Sequence, residues 1–202
     1  KNKLLVPFEG SCVLKKTLDA FDFPFIDEII VTASQEDMEE IQKLCSSFTR
    51  TKIVLGGDSR TQSVYNALKE AKSDVVLIHD GARPFVTDVI IDKVIDGLNE
   101  YSAVTCGVKV KDTIKRVSVD GLVQETLNRE SLMAVQTPQG VKIAEYLKAV
   151  ENIDLADFTD DTSIMEAAGY KVLITEGDYK NIKITTKEDL ILANALGAEE
   201  SE

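Results

Sequence analysis

Val75, Val76, Leu77 and Ile78 stand in an unbroken apolar row, which His79, Asp80, Gly81, Ala82, Arg83 and Pro84 end with polar groups and a turn. A run without polar alternation reads as a strand buried on both faces, the kind found inside a parallel sheet. Four other short runs read as strands: Glu28 to Ala33, Lys52 to Leu55, Ala103 to Val108 and Lys171 to Thr175. Between them apolar residues recur at helical spacing. One set is Val13, Leu14, Leu18 and Phe21; a second is Met38, Ile41, Leu44 and Cys45, with Ser34 as cap. Val64, Leu68 and Ala71 form a third, and Val89, Ile91, Val94, Ile95 and Leu98 follow Thr87 as cap. This alternation predicts an α/β fold: a doubly wound, mostly parallel Rossmann-like sheet with right-handed crossovers.

The pattern changes between Lys109 and Arg129, where β-branched residues alternate with polar ones about Asp120-Gly121, a strong hairpin signal. An amphipathic hairpin is not stable alone. It lies on its own core or reaches another subunit as an extended arm. Beyond it, Val135 to Gln139 reads as the end of a short strand. Phe158 to Glu166 reads as a helix start capped by Thr159 or Asp160 and stopped by Gly169, and Thr186 with Asp189 as a capping box for the last helix.

Composition narrows the function classes. A chain of 202 residues with 44% hydrophobic and 29% charged residues has an ordinary globular profile, and no apolar run approaches a membrane span of about 18 residues. The net charge of -12 argues against nucleic-acid or anionic-membrane partners. Cys12, Cys45 and Cys106 are too scattered for a disulfide framework or a metal knuckle, which favours reduced core thiols and a cytoplasmic location.

The chemistry gathers at strand ends. In open α/β sheets the carboxyl ends of strands are where ligands sit. A carboxylate at Asp80 and a guanidinium at Arg83 suit a ligand bearing hydroxyls and phosphates, or form a structural pair that holds a loop. Gly56-Gly57 precedes a helix whose N-terminal amides suit an anion or a base edge, or simply makes a turn. It is neither the GxGxxG fingerprint nor a Walker loop, so a dehydrogenase is disfavoured. Lys183 is either a snorkelling edge residue or a functional cation, and Lys115, Arg116 and Arg129 are either a solvated face or anion ligands.

Taken together and in order, GGxxRxxSVxNAL, HDGARP, DTIKR, TxNR, QTPQ, TDD and NIKITT-ED resemble the 2-C-methyl-D-erythritol 4-phosphate cytidylyltransferases across nearly the whole chain. The ribitol 5-phosphate cytidylyltransferases share several of these motifs and are the alternative within the enzyme class. A non-catalytic nucleotide-binding relative is the alternative outside it. The resemblance implies one nucleotidyltransferase domain over 1–202, with a dimerisation β-arm at about 109–132. It also implies that the family's opening strand and glycine-rich loop are missing from this stretch. It implies CTP and a polyol phosphate as substrates, Mg²⁺ held mainly by the CTP phosphates, and a homodimer joined through the arm. By the same resemblance Lys3 and Lys183 are catalytic, and Gly57, Asp58, Arg60 and Ser63 serve the nucleotide. Asp80, Arg83, Thr137 and Thr159 form the polyol pocket, with Asp80 also close to the metal. Thr113 and Arg129 reach the substrate phosphate in the partner's site.

Overall fold

The structure is a computed structural model that describes residues 3–151 and 158–200. The chain enters through a short 3-10 turn, Lys3–Leu5, and a two-residue ribbon, β1 (Pro7–Phe8) against β2 (Ser11–Cys12), before α1 (Val13–Asp19). Next come β3 (Ile29–Ala33), α2 (Met38–Cys45), β4 (Thr51–Leu55) and α3 (Arg60–Leu68), with β3 and β4 pairing in parallel. Helix α2 starts later than Ser34 suggests, because Asp37 is its N-cap and Ser34 closes the preceding turn by accepting from the Asp37 amide.

The apolar row forms β5 (Val75–Ile78), followed by α4 (Asp88–Gly97) and β6 (Ala103–Lys109). The hairpin follows as β7 (Lys115–Val117) and β8 (Val123–Thr126), with Gly121 at φ +79, a left-handed position that glycine adopts without strain. The chain returns through β9 (Met133–Lys142), α5 (Ile143–Val150), α6 (Asp161–Ala167), β10 (Val172–Glu176) and α7 (Lys187–Glu200). Asp160 caps α6, its carboxylate accepting from the Ser163 amide. The Thr186-Asp189 box closes reciprocally at the head of α7.

The α/β class holds, but the sheet is mixed rather than mostly parallel. Its four strands run β10-β6-β9-β5, and β9 is antiparallel to both neighbours. The reason is the excursion through the hairpin: the chain leaves β6 at Lys109 and re-enters opposite it at Met133, so β9 can only run back. The expectation for β5 is corrected with it. Among the described residues β5 is an edge strand paired antiparallel with β9 alone, and its first residue, Val75, is exposed. The VQTPQ segment is likewise no strand end but the middle of a ten-residue strand.

Period-two alternation divides the sheet between two cores. On one face Val104 and Cys106 of β6 pack with Ile90, Ile91 and Val94 of α4 and with Leu98, its C-cap. On the other, Ala103 and Val141 pack with Tyr146 of α5 and with Ile164 and Met165 of α6. Helix α4 approaches β9 closely at Gly140, where an added Cβ would stand 2.8 Å from Leu98 Cδ1 and 2.9 Å from Val94 Cγ1. Gly140→Ala should therefore cost about 1–3 kcal/mol in urea unfolding; an unchanged midpoint would show that α4 can shift freely. Cys12, Cys45 and Cys106 are free and buried, and burial pushes the Cys106 thiol up to about 11.

Candidate active site

A cavity of about 700 Å³ opens at the carboxyl end of β5, lined by Arg60, Asp80, Arg83, Thr137, Thr159 and Lys183 among others. These six expected site residues come from five separate stretches of sequence. Asp80 is the hub. Lys183 Nζ lies 3.0 Å from its Oδ2, Arg83 Nε 3.5 Å from the same oxygen, and Arg60 Nε 3.4 Å from Oδ1. Burial alone would raise the Asp80 carboxyl, but Lys183, Arg60 and Arg83 outweigh it and hold the group below its usual range.

Each cation is aimed by a different element. Arg60 is the first residue of α3, which Ser59 caps by accepting from the Gln62 amide. Its Nη1 donates to Asp161 Oδ2 at 2.7 Å, and Asp161 is fully buried. Burial raises the Asp161 carboxyl; Arg60 and the Tyr146 hydroxyl, which donates to Oδ1 at 3.1 Å, only partly offset it. Arg83 Nη1 donates to the Asn181 carbonyl at 2.7 Å, and the buried Asn181 amide donates to the Thr137 carbonyl at 2.9 Å. Lys183 is held by its neighbour: Ile184 is buried against Phe8, Val13 and Phe85, and its amide donates to the Ala82 carbonyl at 2.9 Å.

Thr137 reaches the cavity because β9 bulges. Thr105 pairs with Gln139 while Cys106 pairs with Gln136, so Thr137 and Pro138 have no partners on β6. Two extra residues re-aim the side chain towards β5. There the Asp80 amide donates to Thr137 Oγ1 at 3.0 Å, and that hydroxyl also meets His79 Nδ1 at 3.0 Å.

The other expected residues stand apart from this cavity's walls. Gly57, exposed Asp58 and Ser63 form the turn into α3, where the Gly57 amide donates to Ser63 Oγ at 3.0 Å. An added Cβ on Gly57 would fall 2.2 Å from Gln62 Cγ, so close approach explains this glycine. Lys3 donates through Nζ to the Thr185 carbonyl, which brings it alongside the Lys183 segment. Thr113 and Arg129 are exposed at the base of the hairpin, with Arg129 Nη1 donating to the Lys111 carbonyl at 3.0 Å.

Sequence reasoning gave no role to Asp161, Gln139 and Asn181, although the TDD, QTPQ and NIKITT motifs contain them, and passed over Tyr146. Gln139 Oε1 accepts from the Asp161 and Thr162 amides, and its amide donates to Asp160 Oδ2 at 2.8 Å. Asp161 did leave a signal: it shares a helical face with Ile164 and Met165, an odd place for a carboxylate.

Comparison with known proteins identifies the family. The profile of the 2-C-methyl-D-erythritol 4-phosphate cytidylyltransferases matches residues 1–198. The chain belongs to this family. It is 45% identical to the cytidylyltransferase of that name from Clostridium tetani over 202 residues, covering 95% of this chain and 81% of that protein. The Clostridium acetobutylicum protein is 44% identical, with 97% and 89% covered. Among solved structures, 4-diphosphocytidyl-2C-methyl-D-erythritol synthase from Anaerococcus prevotii superposes with a TM-score of 0.88 at 33% identity, over 96% of this chain and 88% of that one. The Thermus thermophilus cytidylyltransferase gives 0.82 at 30% identity, over 97% and 94%.

Proposed function

We propose that this protein transfers CMP from CTP to 2-C-methyl-D-erythritol 4-phosphate, giving 4-diphosphocytidyl-2-C-methyl-D-erythritol and pyrophosphate in non-mevalonate isoprenoid synthesis. Family membership supports the reaction. The observation that carries it into chemistry is the convergence of Lys183, Arg83 and Arg60 on Asp80. A phosphate oxygen of the alcohol phosphate forms the new bond to the α-phosphorus of CTP, and the bond to the bridging oxygen of pyrophosphate breaks in line. No strong base is needed, since a phosphate monoester is already largely deprotonated at neutral pH, its second pKa being about 6. Cations set around the phosphorus stabilise the charge that builds on its oxygens. Lys183, and Lys3 brought alongside it by its bond to the Thr185 carbonyl, supply that positive charge, while Gly57, Asp58 and Ser63 flank the cytosine and Arg60 braces that turn. Asp80, Arg83, Thr137 and Thr159 take the polyol.

A divalent cation fits this site only as a companion of the nucleotide. Among the described residues no group of three acidic, histidine or cysteine side chains could hold a metal. Mg²⁺ readily takes one carboxylate plus substrate phosphates, so Asp80 would be its protein ligand, and bound there it would neutralise phosphate charge. The homodimer is part of the same reading. It is supported by the hairpin's exposed apolar residues, Val119 and Leu122 above all, the latter 70% exposed. A partner seated there would cover them and bring Thr113 and Arg129 to its own site. Arg129→Ala should then raise KM for the alcohol phosphate about 10- to 100-fold, as expected for a charged hydrogen bond. KM for CTP should stay within about twofold; a loss confined to CTP would overturn the arm assignment. Free buried thiols and the lack, among the described residues, of any helix long and apolar enough to cross a membrane support a cytoplasmic setting.

The test is pyrophosphate release with CTP and Mg²⁺, comparing methylerythritol 4-phosphate with ribitol 5-phosphate. Preference for the former is expected. Preference for ribitol phosphate would move the protein to another polyol, and silence with both would favour a binding-only relative.

A further inference from the structure

We propose that Tyr179 is a positioning residue that acts in trans: it fixes the root of its own hairpin arm and, through that root, the Arg129 guanidinium that serves the partner's site. This rests on the homodimer and exchanged arm of the proposed function. Tyr179 lies four residues before Lys183, so a part in its own site would be the first expectation. Its side-chain contacts lead elsewhere. The hydroxyl donates to the Lys109 carbonyl at 2.7 Å, and the Lys111 ammonium stands over the ring, 3.7 Å from its centroid. Lys109 is the last residue of β6, where the arm leaves the sheet. The Lys111 carbonyl accepts in turn from Arg129 Nη1 at 3.0 Å. One tyrosine therefore grips both lysines of the root, and the second of them aims Arg129.

The root needs such a grip because the ladder stops there. β6 ends at Lys109 and β7 begins at Lys115, and the residues between them, Thr113 included, belong to no strand. The turn that carries Tyr179 is anchored without the phenol. Buried Gln136 donates through Nε2 to the Asp178 carbonyl at 2.8 Å, and the Gly177 amide donates to the Gly107 carbonyl at 2.8 Å. An added Cβ on Gly177 would fall 2.4 Å from Gln136 Oε1, so the turn lies tight against β9. Loss of the phenol thus loosens the root while the turn, with Asn181 and Lys183, stays in place. A hydroxyl bond and a cation over a ring are each weak at an exposed site, but together they order a segment that has no ladder of its own.

Tyr179→Ala should raise KM for the alcohol phosphate about 5- to 10-fold, less than Arg129→Ala does, and leave KM for CTP within about twofold. Tyr179 is 48% exposed, so the urea midpoint should barely move. An unchanged KM would overturn the proposal. The deciding experiment is a mixed dimer, purified through two different tags, of a Tyr179→Ala subunit with a Lys183→Ala subunit. Its one competent site joins the Lys183 of the first subunit to the intact arm of the second, so the wild-type KM for methylerythritol phosphate should return. A KM that stays raised would show that Tyr179 acts on the site beside it, and would sink the action in trans. A mixed dimer of Arg129→Ala with Lys183→Ala is the control and should recover the wild-type KM as well. If the control does not, the exchanged arm itself is wrong and the proposal falls with it; if only the Tyr179→Ala dimer does not, the arm stands and the proposal alone is lost.

Discussion

Replacing Lys183 by alanine should lower turnover by about 10²- to 10³-fold, the range seen when one preorganised charge-stabilising group is removed. Its effect on stability should be small. The side chain is 43% exposed, and the segment that carries it is anchored by Ile184 and Asn181 rather than by the ammonium. Exposed ion pairs contribute at most about 1 kcal/mol, so the urea midpoint should barely move. Asp80 also keeps Arg60 and Arg83 in the variant, so its carboxylate is not stranded. Near-normal turnover would remove Lys183 from the mechanism, and a turnover loss matched by unfolding would make the residue structural.

Arg60→Met should act the other way, on stability first. It strips the buried Asp161 carboxylate of its cation and leaves only the Tyr146 hydroxyl as a side-chain donor. Breaking a buried pair costs several kcal/mol. About 2–3 kcal/mol is expected here, because Arg60 itself is 36% exposed and part of its charge is already solvated. The pH dependence identifies the group. Burial already holds the folded-state value of Asp161 above its unfolded one, and loss of Arg60 raises it further. Stability is then fully present below the unfolded value, about 3.9, and is lost as pH rises through the folded one. The variant's deficit should be larger at pH 8 than at pH 5 in urea unfolding. A deficit that stayed constant or grew on acidification would show that Asp161 does not carry it.

Both predictions depend on residues with very different visibility in the sequence. Lys183 stands in a motif, and the motifs in their order were enough to point to the family and to the hub at Asp80. Asp161 belongs to no chemistry that spacing announces; only its place on the apolar face of α6 hinted at burial. Gln139 was marked only as the end of the QTPQ motif, and Tyr146 gave no hint, because a tyrosine in an amphipathic stretch is compatible with either face. Thr137 was legible as a site residue but not as an oriented one. Its placement depends on a contact with a histidine 58 positions away and on the bulge that leaves it and Pro138 outside the register with β6.

Local pattern by itself determined most of the strand and helix segments (though not α5 or the length of β9), the hairpin about Asp120-Gly121, the cap at Thr186, the choice of Thr159 or Asp160 for α6, and the fate of the cysteines as core thiols. These follow from periodicity and turn chemistry within a few residues, which act before any long-range contact forms. The direction of β9, the edge position of β5 and the convergence of three cations on Asp80 were decided only by the tertiary structure. Strand direction is set by the end of the sheet at which an excursion returns, and the convergence of the cations by where separate strand ends and loops meet. Neither is a property of any one stretch of chain.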